Sequence, residues 1–209
     1  MKHWPANTVI VLDFETTGLS PNQGDRAIEI GAVRVENGRI TDRFQRLMCP
    51  NQRISGFIES YTGITNRMLQ DADPAEQVMA EFADFIEDYN LVAHNASFDS
   101  KFLISELARI EQPCKQLFAC SLLVARRLYQ NAPNHKLGTL VHYKNLPTDG
   151  TFHRALADAE MTTHLWLSML EDMESCYGID QADFALMQKL GKTAKGKTDE
   201  FLRKSAVTA

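Results

Sequence analysis

Apolar runs in the first fifty residues predict three β-strands. Residues 9–15 are apolar on both faces up to Asp13, as expected for a central strand that is buried on both sides. Two further apolar runs, at residues 27–35 and 40–48, flank a turn that contains Asn37 and Gly38. We therefore expect an antiparallel hairpin beside the first strand.

The spacing of apolar residues is mostly helical after residue 73, with short apolar runs between the helices. Asp73 and Asn95 are the expected N-caps of the first two helices. Helices are predicted at about 74–89, 97–110, 121–129, 137–143 and 155–173, and short strands at 91–93 and 117–119. Three strands followed by alternating helices and strands predict an α/β fold in which helices flank a mixed sheet.

The C-terminal part of the chain is basic and poor in large apolar residues. After a short helix expected near Asp180, six Lys or Arg residues stand against two acids between Lys189 and Lys204. This composition is typical of a frayed tail, or of an arm that steers a nucleic-acid strand or binds a partner. We expect one domain over residues 1–175, and a short helix with a basic tail over 176–209.

Length and composition are those of a folded chain. The 209 residues are 44% hydrophobic and 23% charged, which excludes collagen-like and disordered classes. The sequence has no window of about 18 consecutive apolar residues, and its beginning lacks the pattern of a cleaved leader. We expect a cytoplasmic protein with no membrane partner.

The four cysteines and the net charge limit the candidate chemistry further. The cysteines form no Cys-x-x-Cys pair and have no histidine at zinc-finger spacing, so neither a disulfide framework nor a zinc site is predicted. The net charge of −5 argues against nucleic-acid binding over a broad basic face. It does not exclude a nucleic-acid enzyme whose carboxylates are covered by bound cations.

Four carboxylates occupy positions where core residues are expected. Asp13 and Glu15 are two apart on the first predicted strand, so their side chains share a face. An alternative is that both lie on a solvated strand end. Asp99 and Asp158 each fall on the apolar stripe of a predicted helix, where an isolated aspartate is usually a cap or a hydrogen-bond acceptor. Four inward-facing carboxylates on three elements are poorly explained as separate caps or hydrogen-bond acceptors.

A pair of hard divalent cations would stabilise these carboxylates together. Mg²⁺ and Mn²⁺ prefer oxygen ligands, and two such ions support phosphoryl transfer by activating water and binding the leaving oxygen. His153 is the candidate general base, although a lone histidine of this kind is more often a surface residue. It lies five residues before Asp158, about 140° away on a helix, so it must sit on the preceding loop.

Three short motifs resemble those of a known enzyme family. DFETTG at residues 13–18, HNASFD at 94–99, and His153 followed by Asp158 resemble, in order and spacing, the three motifs of the DEDDh 3′–5′ exonucleases. The resemblance covers about residues 7–173, and it is greatest to the proofreading epsilon subunit of bacterial replicative DNA polymerase and its stand-alone relatives. Residues 1–175 are thus the expected exonuclease domain.

The resemblance implies a ribonuclease H-like fold and a two-metal site. Asp13, Glu15, Asp99 and Asp158 would bind two Mg²⁺ or Mn²⁺ ions, with Glu15 and His153 as catalytic residues and His153 activating the attacking water. Hydrolysis would release nucleoside 5′-monophosphates from a 3′ end.

The same matching assigns a substrate pocket. Thr16, Thr17, Gly18 and Leu19 would line the pocket of the terminal nucleotide. Ile64 and Phe98 would pack against the last bases, and Asn95 would lie near the scissile phosphate. One departure is Thr62, where epsilon-like members have histidine, so contact with the terminal nucleotide is expected to differ.

Three functions are compatible with these features. The first is a metal-dependent exonuclease acting on 3′ ends of single-stranded DNA, in proofreading or repair. The second is a ribonuclease that trims short RNA, and the pocket around Thr17, Leu19 and Ile64 would discriminate between them through the 2′-hydroxyl. The third is a non-catalytic adapter that binds a polymerase or nucleic acid, which predicts loss of metal ligands that this chain retains. A polymerase partner fits the resemblance, but the tail has no convincing polymerase- or clamp-binding peptide.

Overall fold

Five strands form one mixed sheet. A computed structural model describes residues 4–148, 150 and 153–207. The strands are β1 (Val9–Thr16), β2 (Ala27–Glu36), β3 (Arg39–Leu47), β4 (Leu91–Ala93) and β5 (Phe118–Cys120). Their order is β3-β2-β1-β4-β5; β2 is antiparallel to both β1 and β3, β4 is parallel to β1, and β5 is parallel to β4. This sheet confirms the predicted mixed α/β fold.

Helices cover both faces of the sheet. They are α1 (Gly56–Thr62), α2 (Asn66–Gln70), α3 (Ala75–Ile86), α4 (Ala96–Arg109), α5 (Ser121–Leu128), α6 (Leu137–Tyr143), α7 (Ala155–Tyr177), α8 (Phe184–Lys192) and α9 (Thr198–Ala206). The sequence pattern did not predict α1 and α2, which are short and begin at the side-chain caps Ser55 and Thr65. Of the helices in the described part of the chain, none has the length and apolar character needed to cross a membrane.

Side chains of β1 alternate between two apolar cores. Val9 and Val11 belong to the core that contains α5, α7 and α8, whereas Ile10 and Leu12 belong to the core that contains α3 and α4. Because side chains alternate along a strand, Asp13 and Glu15 continue the row of Val9 and Val11 toward the face that α7 covers. The strand therefore directs both carboxylates toward the beginning of α7.

Of the two predicted N-caps, Asp73 is wrong, whereas Asn95 is the N-cap residue of α4 but does not cap the helix with its side chain. The residue before α3 is Pro74, which cannot cap with a side chain, so the helix begins after it rather than after Asp73. Asn95 precedes α4, but its backbone is left-handed with φ of 74° and its side chain does not cap the helix. A capping side chain requires extended backbone at that residue, whereas asparagine tolerates the left-handed turn that connects β4 to α4.

The short helix expected near Asp180 is α8, whereas the expectation of a frayed tail after it is wrong, because residues 198–206 form α9. Phe184, Met187 and Leu190 follow at intervals of three residues and are buried together with Leu202. They pack in the same core as the first strand. The charged residues lie on the outer helix face, and the local excess of lysine made the segment resemble a polar tail. The buried apolar stripe was therefore not predicted. The boundary at residue 175, which falls within α7, stays a prediction.

Candidate active site

Three carboxylates meet at the carboxyl end of β1. Carboxylate oxygens of Asp13, Glu15 and Asp158 lie within 4.8 Å of one another. Asp13 and Glu15 come from the strand, and Asp158 comes from the first turn of α7. Residues that are 143 positions apart in the chain thus share one site.

The beginning of α7 is attached firmly to β2. The Asp158 carboxylate accepts a hydrogen bond from the backbone N–H of Arg154, at 3.1 Å. The Arg154 guanidinium forms an ion pair of 2.8 Å with Glu29, which is fully buried and also accepts from the Ala155 N–H. These contacts fix the position of Asp158 relative to the sheet.

Asp99 approaches the site from α4. Its side chain is buried, and its Oδ1 accepts a hydrogen bond of 3.2 Å from the backbone N–H of Phe14, between Asp13 and Glu15. Its negative charge raises the pKa of the Asp13 carboxyl. The fourth predicted ligand therefore borders the three-carboxylate cluster.

Burial and mutual repulsion both oppose ionisation of these groups. Burial, followed by repulsion from Asp99 and Asp158, raises the pKa of Asp13 well above its ordinary range. Burial and the charge of Asp158 raise the pKa of Glu15 to about 8, and burial raises that of Asp99 to about 7. Burial also raises the pKa of Asp158. A cluster of buried oxygen donors with excess negative charge fits hard divalent cations such as Mg²⁺ or Mn²⁺.

His153 lies on the loop before α7, as its spacing from Asp158 predicts. Its backbone is left-handed, with φ of 61°. Its imidazole ring contacts the ring of Tyr61, with centroids 3.9 Å apart and planes inclined by 36°. His153, Tyr61 and all four carboxylates line the same cavity. A base at this place would face the bound end of a substrate.

The cavity over the carboxylates has a volume of about 790 Å³. Thr16, Thr17, Gly18, Leu19 and Phe98 line it, as do Asp13, Glu15, Asp99 and Asp158. The Asp25 carboxylate accepts a hydrogen bond of 2.9 Å from the Ser20 N–H and so holds the loop after β1 in place. This volume is within the range of small-molecule sites and accommodates a nucleotide.

Two predicted substrate-binding residues lie elsewhere. Ile64 is fully buried against Ile28, Ile54 and Leu69, so the expected packing of its side chain on a base is wrong. The reason is that the turn after α1 points this residue into a small core beneath the helix. Asn95 lines the neighbouring cleft rather than the cavity itself, and it shares that cleft with His153 and Asp158. Its assigned position near a scissile phosphate stays a prediction.

The sequence pattern missed an aromatic pair at the mouth of the cavity. Phe57 and Tyr61 on α1 stack with ring centroids 5.8 Å apart, and they are 72% and 50% exposed. Both line the cavity with Leu19, which is 82% exposed. The signal was present as an i, i+4 aromatic spacing, but the short helix that carries it was not predicted.

Thr62 stands where epsilon-like members have histidine. It is buried, and its hydroxyl donates a hydrogen bond to the Ile58 carbonyl at 2.8 Å.

Known proteins are similar to this chain in sequence and in fold. The family model described as exonuclease (RNase_T) matches residues 10–166. The chain is 39% identical over 165 residues to a PolC-type DNA polymerase III of Caldanaerobacter subterraneus, covering 79% of this chain and 12% of the relative. It is 40% identical over 167 residues to the 3′-5′ exonuclease DinG of Bacillus subtilis, covering 78% of this chain and 18% of the relative. The chain thus spans less than a fifth of these relatives.

Two solved structures resemble the whole domain. Exonuclease X in complex with 5′-overhanging duplex DNA is 25% identical with a TM-score of 0.66, covering 88% of this chain and 99% of the other. The nuclease domain of 3′hExo, a DEDDh family member bound to rAMP, is 23% identical with a TM-score of 0.70, covering 85% and 96%. These structures share the mixed sheet flanked by helices, the predicted ribonuclease H-like fold. By its sequence match, the chain belongs to the exonuclease (RNase_T) family.

Proposed function

We propose that this chain is a metal-dependent 3′–5′ exonuclease that hydrolyses the terminal phosphodiester bond of single-stranded DNA and releases nucleoside 5′-monophosphates. The observation that carries the proposal is the set of carboxylate oxygens of Asp13, Glu15 and Asp158 within 4.8 Å of one another. They lie beneath a cavity that accommodates a nucleotide. Such an acidic site binds an anionic phosphodiester only when cations compensate its charge.

Each polar residue of the site has a role in this reaction. Asp13, Glu15, Asp99 and Asp158 would hold two Mg²⁺ or Mn²⁺ ions, and Glu15 would also face the attacking water. When bound, the two ions supply charge neutralisation at the phosphate and acidify the water. His153 accepts the proton of that water as general base. In this structure the His153 ring contacts that of Tyr61.

The lining of the cavity fits the terminal nucleotide. Leu19, Phe57 and Phe98 offer apolar surface to bases, and aromatic rings stack on any base without sequence preference. Backbone and hydroxyl groups of Thr16, Thr17 and Gly18 border the same space and contact the sugar. Single-stranded 3′ ends suit this arrangement because their bases are free to stack on protein side chains.

RNA is the second candidate substrate. One structural relative is described with rAMP bound, and another is described with duplex DNA. The sugar would lie beside Thr17, where a 2′-hydroxyl is either accepted or excluded. A role in proofreading or repair, a polymerase partner and a cytoplasmic location stay predictions. The PolC-type relative supports a polymerase context, but this chain spans only 12% of it.

A direct test uses 5′-labelled DNA and RNA of the same sequence. Wild type, Asp13→Asn and the control Asp84→Asn, an exposed aspartate on α3, are each incubated with Mg²⁺, Mn²⁺ or chelator. We expect a ladder that shortens from the 3′ end with either ion, in wild type and in the control only. The nucleic acid that is shortened faster, DNA or RNA, is the preferred substrate. Metal-dependent cleavage by Asp13→Asn at the wild-type rate would contradict the proposed site.

A further inference from the structure

A second cleft opens directly beside the catalytic cavity. Its volume is about 990 Å³, and it shares Tyr61, His94, His153 and Asp158 with the catalytic cavity. The part that is not shared includes two cations and several polar side chains, here called the cationic cleft: Asn95, Arg126, Asn134, His135 and Lys136. His153 and Asp158 therefore lie where the two spaces meet.

Arg126 and Lys136, the cations of the cleft, differ from Arg154 and Arg43 because they have no acidic partner within the described residues. Arg154 pairs with Glu29, and Arg43 pairs with Glu160. By contrast, Arg126 and Lys136 are exposed and form no ion pair with an acid among residues 4–148, 150 and 153–207. Burial is the main cause that lowers the pKa of the nearby His94 imidazole, and the charge of Arg126 lowers it further. Two uncompensated positive charges thus border a strongly acidic site.

The loop that carries Lys136 is held in place from two sides. His94 Nε2 lies 3.0 Å from the carbonyl oxygen of His135, and His135 Nε2 lies 3.1 Å from the carbonyl oxygen of Tyr129. Because a carbonyl only accepts, both imidazoles donate these hydrogen bonds. The Asn134 side chain accepts from the Lys136 N–H at 2.9 Å. The cationic cleft is therefore organised before any ligand binds.

We infer that the cationic cleft binds the phosphodiester backbone of the nucleic-acid strand on the 5′ side of the scissile bond. This inference rests on the proposed function. The terminal nucleotide occupies the cavity lined by Leu19 and Phe98, so the rest of the strand enters the cleft across the boundary that the two spaces share. Each further nucleotide adds a negative charge that the net charge of −5 and the carboxylates repel. Arg126 and Lys136 offset that repulsion where the strand leaves the site.

The first test compares a long and a short substrate. The long one is a twelve-residue oligothymidylate, and the short one is the p-nitrophenyl ester of thymidine 5′-monophosphate, which has no 5′ strand. We expect Arg126→Gln/Lys136→Gln to lower the ratio of kcat/KM for the long substrate to kcat/KM for the short one at least tenfold. Both side chains are exposed, so folding is expected to persist, and the melting temperature verifies it.

A matched control is available at the ends of the strands that lie opposite to the site. Arg39 begins β3 next to the β2–β3 turn, and Lys115 precedes β5, whereas the site lies at the carboxyl ends of β1 and β4. Both control residues are exposed. Arg39→Gln/Lys115→Gln removes the same charges, and we expect it to leave the ratio at the wild-type value. This comparison separates a local phosphate contact from a general loss of positive charge.

The second test measures binding without hydrolysis. In the Asp13→Asn background, fluorescence anisotropy of the labelled oligothymidylate gives Kd as a function of NaCl concentration. Two phosphate contacts to a single strand contribute about 1.4 to the slope of log K against log salt, and the Arg126→Gln/Lys136→Gln change should remove that amount. The control pair should retain the slope.

The outcomes distinguish the inference from the proposed function. Equal substrate ratios in both double variants, or equal salt slopes, would overturn the assignment of the cationic cleft. Hydrolysis of neither substrate by wild type would instead refute the proposed exonuclease activity, and the salt slopes would then decide the inference by themselves.

Discussion

At the scale of single residues, the site is defined by carboxylates that are costly to ionise in the absence of cations. Asp13 and Glu15 extend a row of buried valines, and Asp99 is buried behind them. Burial is the main cause that raises the pKa of all three. Buried acids with strongly raised pKa values cluster at functional sites. These carboxylates therefore indicate a functional site rather than a structural one.

The first prediction concerns pH. An acid whose pKa is higher in the folded state stabilises the fold at low pH, and this contribution is lost as pH rises through the folded pKa. Between pH 6.5 and about 8, the metal-free protein should therefore lose stability as Glu15 and Asp99 ionise. The loss is about 1.4 kcal/mol per pH unit for each proton retained only by the folded state. Burial lowers the pKa of His94 from 6.5 to about 4, so its opposite contribution falls below this window.

Thermal unfolding in chelator across this pH range measures the effect. We expect Asp13→Asn to unfold at higher temperature than wild type near pH 8 and to depend less on pH, since one acid and its repulsion are removed. The control Asp84→Asn should follow wild type. Mg²⁺ or Mn²⁺ should raise the wild-type melting temperature most at the high end of the range. A melting temperature of metal-free wild type that rises toward pH 8 would be inconsistent with the buried acidic cluster.

At the scale of elements, the contact between β2 and α7 assembles the site. Gly31 pairs with Asp13 across the two strands. A Cβ atom at Gly31 would lie 2.1 Å from the backbone nitrogen of Leu156 and 2.2 Å from the carbonyl carbon of Ala155. Only glycine lets the beginning of α7 approach the sheet this closely. The helix in turn carries Asp158 to the strand carboxylates.

The second prediction is that Gly31→Ala separates α7 from the sheet. Because the clash is with backbone atoms, it is relieved only by moving the helix, which costs about 1–3 kcal/mol in the free energy of unfolding. A displacement of about 1 Å at Asp158 lowers the rate about 100-fold. Denaturant unfolding and exonuclease assays measure both effects. The control is Gly196→Ala, where a Cβ meets nothing within 4 Å. Wild-type stability and rate in Gly31→Ala would show that α7 does not depend on this contact.

At the scale of the whole molecule, the C-terminal helices complete the core that supports the site. The Ala6 N–H donates to the Ala182 carbonyl at 2.8 Å, and the Phe184 N–H donates to the Trp4 carbonyl at 3.1 Å. Leu202 of α9 is fully buried in the same apolar core as Val9. The segment at Trp4 and Ala6 and the helices α8 and α9 thus belong to one packing unit.

The third prediction is that Leu202→Ala destabilises the whole protein. Truncating a fully buried leucine costs about 2–5 kcal/mol, so the melting temperature should fall in a single transition. Activity should be retained well below that temperature, because Leu202 does not line the catalytic cavity in the described part of the chain. Calorimetry measures the transition, with Val207→Ala as the control at a residue that is 86% exposed. A melting temperature equal to that of the control would show that α9 does not contribute to the cooperative unit.

Local periodicity predicted the strands, the long helices and the chemical character of the site. Alternation along β1 placed Asp13 and Glu15 on one face, and helical spacing placed Asp99 and Asp158 on inward stripes. The same helical spacing required His153 to lie on the loop before α7. Short helices and caps were less predictable, because α1 and α2 have seven and five residues and their stability comes from surrounding contacts.

The sequence by itself therefore determined which residue types point inward, because the side-chain periods of a strand and a helix are local properties. Only the tertiary structure decided which of them meet. The order of the strands and the close approach at Gly31 bring Asp158 to β1, bury Ile64 away from the cavity, and place Tyr61 against His153. These contacts join residues far apart in the chain, and they depend on packing that no short stretch of sequence encodes.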